Sequence, residues 1–258
     1  MNKTALITGA SSGIGFELAI VFATQKDNLI LVARNAAKLE EMAKDLSTKY
    51  KVKVNILAID LSEINSAQKV FDYCKTNHLH IDYLINNAGF GDFGFFAQSN
   101  WDKQLQMINL NITTLTQLTH LFLPSMIASK YGKIMNVAST ASFQPGPLMS
   151  VYFATKSYVL HFSEAIANEL DGTGVTVTAL CPGPTESGFQ SAAALEESKL
   201  VKGKKLPSSA AVAAYGYTSL MQGKKVAIHG MMNAIMASAI RFVPRGMALK
   251  ILRMMQDK

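Results

Sequence analysis

Cysteine is scarce in this chain: 258 residues contain two, Cys74 and Cys181. Neither belongs to a CxxC pair or a Cys/His cluster, so no metal site is expected and no disulfide framework is implied. Two isolated thiols fit a reducing compartment. Charge is sparse too, at 17% of residues against 49% hydrophobic, which argues against disorder and leaves enough apolar material for a large core. No stretch reads as a membrane span. The start, Met1-Asn2-Lys3-Thr4, runs straight into a short apolar segment without the long core or cleavage site of a signal peptide. These absences predict a soluble, cytoplasmic protein, with one reservation about the C-terminus.

A long basic block is also lacking, although the formal net charge is +7 and the pI about 9.3. Nucleic acid, an anionic membrane surface and an anionic cofactor or substrate all attract such a charge. The basic residues are dispersed in small groups such as Lys202–Lys205 and Lys224–Lys225, and aromatics do not alternate with them. No nucleic-acid partner is therefore expected. Internal repeats and low-complexity linkers are absent as well, and residues 1–258 read as one domain.

What is present is alternation. Ala5–Ile7, Leu29–Val32, Val54–Ile59, Ile81–Ile85, Ile134–Val137, Val175–Leu180 and a last short run at Lys224–His229 read as strands, most of them nearly continuous in apolar character. Helical periodicities lie between them: Ile14, Leu18, Val21 and Phe22 on one face; Leu39, Met42 and Leu46 on another; then Leu105, Ile108, Ile112 and Leu115. This pattern predicts an α/β fold, a Rossmann-like doubly wound parallel sheet of about seven strands with helices on both faces. Its ligand crevice belongs at the carboxyl ends of the strands.

Two ends of that crevice carry chemistry. The first strand runs into Thr8-Gly9-Ala10-Ser11-Ser12-Gly13-Ile14-Gly15 and directly into a helix, which suits a pyrophosphate: glycines let the backbone come close, and the helix start offers free N–H groups. The spacing departs from GxGxxG. Where a carboxylate would hold the ribose 2′-hydroxyl of NAD, the second strand ends in Ala33 and Arg34; a guanidinium binds a 2′-phosphate, so NADP(H) is expected. At the other end, Ser139 precedes Tyr152 by thirteen positions and Lys156 follows Tyr152 by four. On one helix that spacing places Tyr152 and Lys156 on one face. An ammonium beside a phenol favours the phenolate and pulls its pKa down, making Tyr152 an acid/base group, while Ser139 can hold a substrate oxygen.

Together these motifs resemble the short-chain dehydrogenase/reductase family over nearly the whole chain. The resemblance rests on Thr8–Gly15, Asp60-Leu61, Asn86-Asn87-Ala88-Gly89, Asn111, Ser139, Tyr152, Lys156, Pro182-Gly183 and Ser187, in the family's order. It implies an NADP(H)-dependent oxidoreductase acting on carbonyl and alcohol groups of a small molecule, assembled as a homodimer or homotetramer. Asn111, Ser139, Tyr152 and Lys156 would be catalytic. Gly9, Ser11, Ser12, Gly13, Ile14, Gly15, Arg34, Asp60, Leu61, Asn87, Ala88, Gly89, Pro182, Gly183 and Ser187 would join Tyr152 and Lys156 around the cofactor. Asn111 is preferred to Asn109 on the family pattern. Ser12 stands where some NADP-preferring members carry a second basic residue, and Ser187 where many have Thr. A non-catalytic NADP(H)-binding regulator is the alternative; an intact proton-transfer set argues against it.

The substrate side is expected to be apolar, from Phe90, Phe93, Phe95, Phe96, Phe143, Leu148, Met149 and Phe189. Residues 188–210 read as a mobile substrate loop. Residues 230–258 form a Met-rich basic extension with three readings: a lid over the substrate mouth, a helix on an anionic membrane surface, or a helix packed on the body or a partner subunit, the last being favoured.

Overall fold

The computed structural model describes residues 2–186 and 206–256. A seven-stranded parallel sheet forms the centre: β1 (Thr4–Thr8), β2 (Asn28–Ala33), β3 (Val54–Ala58), β4 (Tyr83–Asn86), β5 (Gly132–Val137), β6 (Val175–Cys181) and β7 (Val226–Ile228), in the order β3-β2-β1-β4-β5-β6-β7. Each expected strand is present, with ends shifted by one or two residues.

Apolar runs become strands here because both faces are covered. In β2, Leu29 and Leu31 face the layer of α1 (Gly13–Thr24), α2 (Ala36–Tyr50) and α7 (Ser209–Met221). The intervening Ile30 and Val32 face the layer of α3 (Ser66–Thr76), α5 (Leu115–Ala128) and α6 (Ser150–Glu169). All four side chains are fully buried, so polar alternation would have cost stability on either face. The strand order reverses beside β1, between β2 and β4, and a crevice opens there at the carboxyl ends.

One helical face differs from the expectation. Between β4 and β5 the chain forms α4 (Trp101–Ile108), a π-helical turn (Asn109–Thr114) and α5. Leu105 is 41% exposed, whereas Gln104, Met107, Asn111 and Thr114 are buried with Leu115. The inner face is one residue out of phase with Leu105, Ile108 and Ile112 because polar side chains occupy it. Gln104 donates to Asp92, Asn111 to the Phe90 carbonyl and Thr114 to the Leu61 carbonyl. Hydrogen bonds offset their burial, and hydrophobic periodicity does not see them.

The chain closes with α8 (Met231–Ala239) and α9 (Arg245–Gln256) beside the carboxyl edge. Among the described residues, no helix is long and apolar enough to cross a membrane.

Candidate active site

A cleft of about 1200 Å³ runs along the carboxyl ends of the strands, from Arg34 and Asp60 at one end to Tyr152, Phe153 and the C-terminal helices at the other. At its first end, Thr8 ties two loops together. Its hydroxyl donates to the Ile85 carbonyl (3.2 Å) and accepts from the amides of Asn87 (2.9 Å) and Ala88 (3.0 Å). Asn87 in turn donates through Nδ2 to the carbonyl of Thr8 (2.9 Å). Gly9 has φ +65°, and a Cβ there would stand 2.9 Å from the Ala88 Cα, so the close approach of these loops requires glycine. α1 then begins after its N-cap Ser12, whose side chain makes no capping hydrogen bond, and no acidic residue lies in the first turn. Its amide ends are thus open to an anion.

Arg34 is 79% exposed and lies 3.7 Å from the Asp60 carboxylate. Burial raises the Asp60 carboxyl, but hydrogen bonds from the Ser62 hydroxyl (2.7 Å) and amide (2.9 Å), together with the Arg34 guanidinium, outweigh it and hold the group below the usual carboxylate range. Leu61, Ala88, Gly89, Ser11, Ser12, Gly13 and Ile14 also line this end. Gly15 does not line the cleft; it packs under the loop, where a Cβ would overlap the Gly9 carbonyl.

At the other end, α6 delivers Tyr152 and Lys156 to one face, both buried. The Lys156 ammonium donates to the Val137 carbonyl (2.7 Å) and lies 5.9 Å from the centre of the Tyr152 ring. Ser139, at the end of β5, accepts from the Ala141 amide (3.1 Å) and hydrogen-bonds Tyr152. Asn111 sits in the π-helical turn, donates to the Phe90 carbonyl and to Thr155 Oγ1 (both 3.0 Å), and accepts from the Phe90 amide (3.2 Å). A Cβ on Gly89 would stand 3.0 Å from Asn111 Oδ1 and 3.3 Å from Lys156 Nζ, so both residues pack against that glycine.

The electrostatics differ from the sequence expectation. Burial pushes the Tyr152 phenol up to about 12 against the lowering hydrogen bond from Ser139. Burial also lowers the Lys156 ammonium to about 8, opposed by the nearby Cys181 thiol. Among protein groups, then, Lys156 does not draw the phenol down. The reason is physical: burial disfavours both charged forms, the phenolate and the ammonium alike.

This constellation has relatives. The family model described as short chain dehydrogenase matches residues 3–198. The chain belongs to that family. Its architecture is the NADP(H)-binding fold of short-chain dehydrogenases, and the chain overlays a short-chain dehydrogenase from Sphingobium yanoikuyae in complex with NADPH at a TM-score of 0.85 and 31% identity, covering 95% of this chain and 94% of that one. It is 37% identical to an NADP-dependent 3-hydroxy acid dehydrogenase of Schizosaccharomyces pombe over 73% of both chains. It is 33% identical to the very-long-chain 3-oxoacyl-CoA reductase-A of Danio rerio over 70% of this chain. The chain spans only 58% of the length of the Danio rerio protein, and 52–55% of two further curated relatives.

Around the expected residues the fold gathers others. Pro182 and Gly183 line the cleft, joined by Thr185, which is buried and donates to the Gly183 carbonyl (2.9 Å). Thr185 was legible as a hydroxyl two positions beyond Pro182-Gly183. Ser187 lies outside the described residues. Ser142 and Thr155 lie outside the predicted set and brace α6 through the Lys156 carbonyl (2.7 Å) and Asn111.

The substrate wall is only partly as expected. Phe90, Phe143 and Met149 line it, and Phe93 packs on the adjoining cluster of Met107, Met149 and Phe153. Phe95 and Phe96 do not line the cleft and are 56% and 59% exposed. Leu148 contributes its backbone, accepting from the Gly94 amide (2.8 Å). Phe189 falls outside the described residues, as do 188–205 of the expected substrate loop, while Leu206 and Pro207 reach the cleft. The remaining wall comes from α8 and α9: Met232, Asn233, Met236, Ala237 and Leu252. The C-terminal extension thus packs on the body and borders the cleft.

Proposed function

We propose that this protein is an NADP(H)-dependent oxidoreductase that interconverts a carbonyl and an alcohol on a bulky apolar substrate, with Tyr152 as the proton donor. The observation that carries the reading is the convergence of Tyr152, Ser139 and Lys156 at one end of a cleft whose other end presents Arg34, with Asn111 buried behind the lining Gly89.

NADPH, when bound, supplies the hydride. The pyrophosphate would rest on the open start of α1, and Arg34 would take the 2′-phosphate, which a guanidinium matches and a carboxylate would repel. Ser139 holds the substrate oxygen and Tyr152 gives it a proton as negative charge develops there. A phenol raised by burial stays protonated at neutral pH, which suits reduction. Lys156 spends one N–H on the Val137 carbonyl and keeps two for the cofactor ribose and the relay toward Asn111. The wall of Phe90, Phe143, Met149, Phe153, Met232 and Met236 selects apolar bulk. In keeping with this, a structural relative from Comamonas testosteroni, 28% identical at a TM-score of 0.79, is described as a bulky-bulky ketone specific alcohol dehydrogenase.

Similarity alone does not decide catalysis, because a human relative, 34% identical, is named an inactive hydroxysteroid dehydrogenase-like protein. The deciding experiment is NADPH oxidation over a panel of bulky ketones and aldehydes, with Tyr152→Phe as control. Turnover lost in the variant supports the reading. Tight NADPH binding without turnover on any compound would favour the regulator instead.

A further inference from the structure

The exposed apolar surface is concentrated around the mouth of the cleft. Of sixteen large apolar side chains exposed among the described residues, nine lie between 231 and 254, with Phe242 at 88% and Met231 at 81% exposure. Phe95, Phe96 and Trp101, on the segment that leads into the cleft-lining Lys103 and Gln106, are exposed as well. The two segments are joined, since the Arg253 guanidinium stands 5.0 Å from the centre of the Phe95 ring. Leu252, beside it, is buried and lines the cleft. Folded chains rarely leave so much clustered apolar surface in water without a partner.

Charge decides which partner fits. Residues 230–256 contain four basic residues, Arg241, Arg245, Lys250 and Arg253, and no acidic one. A two-fold contact between copies of this face would set basic residues against basic residues, which disfavours self-association. Neither α8 nor α9 is long enough to cross a bilayer. Short helices with apolar and cationic side chains, flanked by Trp and Phe, match a position in the plane of an anionic lipid surface.

We propose that the face formed by α8, α9 and the loop from Phe95 to Trp101 docks on an anionic bilayer surface, with the mouth of the cleft turned toward the lipid. Apolar carbonyl compounds dissolved in the bilayer then reach the cleft directly. That consequence rests on the function proposed above; the docking itself does not.

Flotation of the full chain tests the docking without any turnover. Binding is expected to vesicles of phosphatidylcholine mixed with phosphatidylserine, weaker to phosphatidylcholine alone, and reduced by high salt. The paired variants Phe242→Ser/Met247→Ser and Arg241→Glu/Lys250→Glu should each lower partitioning about ten-fold or more. Both should keep wild-type NADPH affinity, which shows that they fold. No flotation of the wild-type chain overturns the proposal, as does flotation indifferent to both variants. A dimer that Phe242→Ser/Met247→Ser dissociates, without flotation, would assign the face to a second copy instead. Failure of the carbonyl-reduction assay would leave the flotation result standing, so the two readings fail separately.

Discussion

The two ends of the cleft are built in opposite ways. The cofactor end is backbone held by short-range motifs: Thr8 locks its own loop to Ile85, Asn87 and Ala88 with four hydrogen bonds of 3.2 Å or less, and nearly every side chain there follows a strand of the sheet. The substrate end is side chains on late helices, with Met232, Met236 and Leu252 closing a wall begun by Phe90 and Phe143. The first end leaves little room to vary, because a pyrophosphate needs close backbone. The second is made of adaptable side chains, since apolar bulk can be accommodated by many packings.

If the ends are independent, variants should damage one and spare the other. The largest effect is expected from Tyr152→Phe, which should lower kcat about 10³-fold while the NADPH Kd stays within experimental scatter. A parallel loss of NADPH affinity would show that the ends are coupled through α6. Next, Arg34→Ala should raise the NADPH Kd by about 10- to 100-fold, the worth of hydrogen bonds to a charged group, and change that for NADH by less than about two-fold. Equal losses for both cofactors would remove Arg34 from the 2′-phosphate.

Leu252→Ala should act on the other side alone, raising KM for bulky ketones about 5- to 10-fold, as expected from removing apolar contact, with small ketones and NADPH little affected. Unchanged kinetics across substrate sizes would detach α9 from the substrate wall.

The remaining effect is on stability rather than activity, and concerns pH and Lys156. Its ammonium is lowered from 10.5 to about 8 in the folded chain, so between those values the unfolded chain binds more protons. Stability should therefore rise with pH across that window from this group, by up to about 3 kcal/mol, and Lys156→Met should abolish the rise. The Tyr152 phenol, raised to about 12, and Cys74 and Cys181, raised from 9.0 to about 12, act in the opposite direction above their ordinary values. The informative quantity is thus the difference between the two proteins in urea unfolding from pH 8 to 9. A difference of opposite sign would mean that the hydrogen bond to Val137 outweighs the desolvation.

Legibility follows the same division. Strands β1 to β6 were readable because a strand covered on both faces must be apolar throughout, and Leu29 to Val32 are an example. Apolar periodicity points to the wrong face of α4–α5 because Gln104, Asn111 and Thr114 face inward and are satisfied by Asp92, Phe90 and Leu61, outside those helices. Phe95 and Phe96 looked like pocket residues beside Phe90 but lie outside the cleft, since nothing local tells a lining aromatic from an exposed one. The direction of the Tyr152 shift was also out of reach: the four-residue spacing announces the ammonium but not the depth of burial that opposes it.

By itself the sequence determined the layer architecture, the family, the glycine loop and the spacing of Tyr152 and Lys156 on one helix, because each depends on periodicity or on residues close together in the chain. Only the tertiary structure decided how deeply that pair is buried, that Asn111 reaches Thr155 on the helix that carries them, and that the Met-rich C-terminus borders the mouth. These are contacts between segments 40 to more than 100 residues apart, set by the order in which strands and helices pack and invisible to any local pattern.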